Sequence, residues 1–135
     1  MTFSEAIAAQ PQWIGWWVNW MMAVFAVSAI VFLFSAATRL AALLTLLAFI
    51  AGAVLLNLMY QQMGYVRLLG LPHLIFWTPL AVYLRARLRS RDVTGVFRIV
   101  MYVLLATILV SLIFDSVDVA RYLLGERTPA ILPPP

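Results

Sequence analysis

Cysteine and lysine are both missing from these 135 residues. The first absence excludes disulfides, thiolate catalysis, thioether attachment of haem and cysteine-ligated metal, and it leaves the redox compartment open. Charge of either sign is scarce as well: nine arginines, five acidic residues and one histidine, or 10% charged residues. Soluble domains carry about 25%. What replaces charge is 65% hydrophobic residues and a mean hydropathy of +1.01. The chain reads as an integral membrane protein. An all-arginine basic set, with abundant Ala, Leu and Pro, points to a GC-rich coding genome and so to a bacterial inner (cytoplasmic) membrane. The net charge of +4 then meets anionic lipid head groups, with no role in binding nucleic acid.

Reactive motifs are missing too. There is no phosphate loop, metalloprotease helix or paired-carboxylate spacing, and Ser35 and Ser111 have no neighbouring base in sequence to activate them. One histidine with Asp115 and Asp118 offers too few ligands for a metal. No cofactor, metal or catalytic residue is expected.

Four apolar runs are present, and a hydrocarbon core of about 30 Å needs roughly 20 helical residues. Trp13 to Phe34, Leu40 to Tyr60, and Gly95 to Phe114 with room to extend to 124 all meet that length. The third run is marginal, because Leu71 to Leu84 rises only about 21 Å. It spans if it starts near Tyr65, with Arg67 snorkelling at the edge. In the stretch GLPHLIFWTP, Pro72 reads as a first-turn proline and Pro79 as the single kink. The first run has no basic flank and is too long for a signal-peptide core, so it reads as a retained helix. The expected fold is an all-α, four-transmembrane-helix bundle in one domain, with residues 126–135 as a flexible tail.

Orientation follows from the arginines. Arg85, Arg87, Arg89 and Arg91 crowd one connection, RARLRSRD, and Arg39 falls on the same side only if four helices are present. That side is the cytoplasm by the positive-inside rule, so both termini are outer. The period-two spacing points these side chains around a helix instead of along one stripe, which suits head-group contacts and not a voltage sensor.

Three further patterns stand out. Ala41, Thr45, Ala48 and Gly52 recur at helical spacing on the second helix as a small-residue packing face, for a helix of the same chain or a second copy. Trp13, Trp16, Trp17 and Trp20 form a stripe expected to anchor at the outer interface, with an indole N–H free to reach nearby polar groups. The polar residues gather at the outer ends of the helices: Asn19, Asn57, Gln61, Arg67, His73, Asp115 and Asp118. The sequence leaves two uses for them. They are ordinary interfacial residues, or they form an outward site in which His73 exchanges a proton with Asp115 or Asp118 and Arg67 holds an anion. The expected function is a non-enzymatic membrane component, homo-oligomeric or accessory to a larger membrane complex. The alternative is a proton-linked or anion transporter or channel using the outer cluster.

Overall fold

The computed structural model describes residues 3–64 and 67–125, and the side chain of Arg67 lies outside what it describes. A short helix, α1 (Phe3–Ala8), leads into α2 (Gln12–Phe32), α3 (Arg39–Met63), α4 (Leu71–Arg89) and α5 (Gly95–Leu123). Among the described residues, four helices are long and apolar enough to cross a membrane, which marks the chain as an all-α integral membrane protein. With short connections the helices alternate in direction, so the start of α2, the end of α3, the start of α4 and the end of α5 share one end of the bundle.

Local chemistry accounts for the boundaries. The α2–α3 turn is held by Thr38, whose hydroxyl donates to the Phe32 carbonyl at 2.7 Å, and by Arg39, whose Nε donates to Leu33 O at 3.3 Å. Both satisfy carbonyls left over at the end of α2. The start of the third span differs from the sequence expectation. Arg67–Gly70 forms a 3-10 turn and the α-helix begins only at Leu71, which places Pro72 where its missing N–H has no helical partner to lose. Pro72 lies in the first turn and Pro79 inside the helix. The other end differs too: α4 continues to Arg89, so Arg85, Arg87 and Arg89 occupy its last turns and not a loop. There their charge complements the carbonyl end of the helix dipole. α5 continues to Leu123 for 29 residues, a rise of ~43 Å, since nothing breaks it before Gly125.

All four long helices contribute to the core. Leu84, Met101, Leu104 and Ile108 are fully buried, joined by Phe32 from α2 and Ala41 from α3. The small-residue face of α3 is used inside the chain: Ala41, Thr45, Ala48 and Gly52 are all buried. Gly52 lies against Trp77, so that an added Cβ would come 3.4 Å from the indole nitrogen. A second, smaller cluster at the other end of the bundle contains Ala6, Tyr60 and Leu69, and through it α1 folds back over the ends of the spans.

Candidate functional site

Where the main core ends, α4 and α5 bring the only histidine onto a carboxylate. His73 Nδ1 lies 3.0 Å from Asp115 Oδ2, with the two side chains 17% and 16% exposed. Ser111, one helical turn before Asp115, donates its hydroxyl to the same Oδ2 at 3.2 Å. Oδ2 accepts from Ser111, and it accepts from His73 as well in the imidazole tautomer that carries its proton on Nδ1.

Close backbone approach makes the contact. Gly70 backs onto Asp115 so tightly that a Cβ there would come within 2.9 Å of the aspartate Cβ and 3.1 Å of its Cα. Only glycine fits at that point. The 3-10 turn that carries Gly70 thereby sets the start of α4 against α5 and aims His73 inward. On its other side the imidazole stacks on Trp77, with centroids 4.3 Å apart, and Trp77 stacks on Phe25 at 4.6 Å. Phe25 in turn meets Phe49 at 5.3 Å. This aromatic column joins α2, α3 and α4 beneath the pair. The indole nitrogen of Trp77 is buried with no hydrogen-bond partner among the described residues, and so is the Thr45 hydroxyl.

The other sequence candidates are dispersed. Asn19, Asn57 and Gln61 are exposed, and the Asn57 amide donates to Ala53 O of its own helix at 3.0 Å. Asp118 is half-buried one turn beyond Asp115, while the expected role of the Arg67 side chain lies outside the described residues. Among the described side chains, the structure brings His73 onto Asp115 and adds Ser111. Ser111 corrects the sequence reading: it has a carboxylate at 3.2 Å. The correction does not make it a nucleophile, because it shares the carboxylate oxygen with the imidazole instead of facing the imidazole's second nitrogen. A signal was present in the i, i+4 spacing of Ser111 and Asp115, which places them on one face. Among the described residues no group of three or more His, Cys, Asp or Glu could hold a metal ion.

The tryptophans divide. Trp13, Trp16 and Trp20 are exposed and Trp17 is half-buried; with Phe114 they border a groove of about 390 Å³. Trp20 Nε1 donates to Thr107 Oγ1 at 3.1 Å, so the bonded indole reaches a buried hydroxyl of α5 and not the polar cluster.

At the opposite end, Arg87 is drawn inward. Its NH2 donates to Ala37 O at 3.0 Å, and NH1 lies 3.8 Å from Asp92 Oδ2. One of the four expected head-group arginines therefore ties α4 to the α2–α3 turn, whereas Arg85, Arg89 and Arg91 remain exposed.

No family model, curated protein or solved structure matches this chain. A histidine–aspartate contact over a packed aromatic column can orient helices, or can pass a proton at one end of the bundle.

Proposed function

We propose that the chain is a non-enzymatic component of a bacterial inner membrane that works by self-association or as an accessory subunit of a larger membrane complex. Its arginine-rich end faces the cytoplasm and both termini lie outside. The observation that supports this most is what lies beneath the His73–Asp115 pair. Phe32, Leu84, Met101, Leu104 and Ile108 are each 0% exposed, and these apolar side chains, with the hydroxyls of Ser28 and Thr45 buried beside them, occupy the inner half of the bundle. A proton or anion crossing the chain would have to pass a layer of this kind, where a charge is costly. The pair then serves position: it joins the start of α4 to α5 at a set rotation.

The helices differ in how much surface they leave for lipid or for a partner helix. In the most apolar stretch of α2 only 17% of residues are buried inside the chain, against 39% in the third span. The small residues of α3 are already used internally, so a partner would meet the faces of α2 or α5.

A proton-linked or anion transporter is the second reading, and the His73–Asp115 contact is the observation that favours it. Liposomes containing the purified chain separate the two. Under the accessory reading, an imposed pH or anion gradient decays no faster than in empty liposomes. Flux above that background, lost in His73→Gln, Asp115→Asn and Asp118→Asn while each variant stays folded, would replace the accessory reading with transport.

A further inference from the structure

Between the end of α4 and the start of α5, the chain forms a concavity of about 450 Å³. Its floor is apolar, with Leu88 and Val93 buried, and Arg89, Arg91, Arg98 and Thr94 stand around it. We infer that this concavity is a binding site for a phosphomonoester group, held by the guanidinium groups of Arg89, Arg91 and Arg98.

Charge balance is the first argument. The connecting segment contains one acidic residue, Asp92, and its carboxylate is turned to Arg87 at 3.8 Å. Its backbone N–H is bound to Ser90 Oγ at 3.1 Å, which directs the turn. No carboxylate of the described residues lies within ion-pair distance of Arg89, Arg91 or Arg98. Three permanent cations around one concavity repel one another, and a low-dielectric floor on one side concentrates their field. An anion that enters relieves this repulsion.

Preorganisation is the second. Arg98 is not a mobile surface arginine: it is half-buried, NH1 donates to Val93 O at 3.4 Å, and NH2 donates to the Tyr102 hydroxyl at 3.2 Å. Its guanidinium carbon lies 5.3 Å from the centre of the Tyr102 ring. One fork of the site is therefore fixed before a ligand arrives, which lowers the ordering cost of binding. Gly95, at φ +61°, makes the left-handed step that swings the chain from the floor residue Val93 into α5 and brings Arg98 to the rim. Thr94 adds a hydroxyl that makes no helix-cap bond.

The number of guanidiniums selects the ligand. A phosphodiester offers one negative charge and two free oxygens, whereas a phosphomonoester carries about −1.5 to −2 charge near neutral pH and three acceptor oxygens. Arg89 and Arg91 can each engage two oxygens, and Arg98, whose NH1 and NH2 each already make one bond to the protein, adds its remaining donors and its charge. The volume exceeds a bare phosphate and leaves room for a glycerol-sized substituent. Two sources carry such a group at this depth: the head group of phosphatidic acid and a soluble compound such as glycerol 3-phosphate.

The full chain in detergent, examined by native mass spectrometry, tests the site with phosphatidic acid, phosphatidylglycerol and glycerol 3-phosphate as probes. Phosphatidic acid should be retained at least five-fold over phosphatidylglycerol. Arg91→Gln and Arg98→Gln should each lower that retention about ten-fold, and Arg85→Gln, which removes the same charge outside the concavity, should change it less than two-fold. Competition by glycerol 3-phosphate assigns the site to a soluble ligand, and its failure to compete assigns it to the lipid. Equal retention of the two lipids, or equal losses for Arg85→Gln and Arg91→Gln, would reduce the concavity to diffuse attraction and overturn the proposal. Arg91 is exposed and makes no packing contact with the core, so its variant decides the matter if Arg98→Gln fails to fold.

Discussion

Single residues set the geometry of the paired end. Asp115 accepts from both His73 and Ser111, and a hydrogen bond to a charged group contributes about 1.5 to 3 kcal/mol. Asp115→Ala should therefore destabilise the bundle by about 2 kcal/mol, measured as a drop in the thermal midpoint in detergent. His73→Gln keeps a donor and should cost less, about 1 kcal/mol. Equal, negligible losses in both would show that the contact does not hold the helices. Gly70→Ala offers a sharper probe. The added methyl meets the Asp115 backbone at 3.1 Å, and overpacking costs about 1 to 3 kcal/mol. An alanine variant as stable as the parent would contradict that close approach. Gly52 grades the same argument: an alanine Cβ sits 3.4 Å from Trp77 and fits with a small adjustment, whereas Gly52→Leu must displace both Trp77 and His73. Leucine should cost at least 1 kcal/mol more than alanine, and identical midpoints would remove the packing role.

Helices show where the sequence is legible and where it is not. Long apolar runs are set by bilayer thickness and depend little on neighbours, so the count of four spans and the buried small face of α3 follow from pattern alone. The six-residue α1 does not. Among its described side chains the buried one is Ala6, a residue that carries no amphipathic signature. Depth along a helix is also readable: His73, Asn57 and Asp115 all belong near one end. Rotation about the helix axis is not, because helices that are apolar all round give no stripe to say which side faces inward. Asn57 and His73 look alike in sequence, yet one points outward to its own backbone and the other across to α5. The breadth of the arginine-rich connection is misread for a similar reason, since alternating Arg and apolar residues do not disclose that α4 runs on to Arg89. Gly95 gives a prediction at this level. An L-residue at φ +61° costs about 1 to 2 kcal/mol, so Gly95→Ala should lower stability by about that much, with Gly95→Asn less affected. Indistinguishable alanine and parent melts would argue against the left-handed start of α5.

For the whole molecule the testable quantity is sidedness. Cysteines placed at Gln62, exposed at the end of α3, and at Ala130 should react with an impermeant reagent added outside intact cells, and one at Ser90 should react only after lysis. Labelling of Ser90 from outside would reverse the proposed orientation. The packing order has a separate consequence, for events during synthesis. α3 packs on α2 and α4, with its small residues buried against them, so the first three spans can associate before the last one emerges. Met101, Leu104, Ile108 and Asp115 belong to that last span, which completes the core and supplies the partner of His73. A nascent chain halted in α5 ahead of Met101 should already resist membrane proteases in part, and one released past Asp115 should gain further resistance; full sensitivity of the halted chain would show that the spans stay apart until α5 arrives.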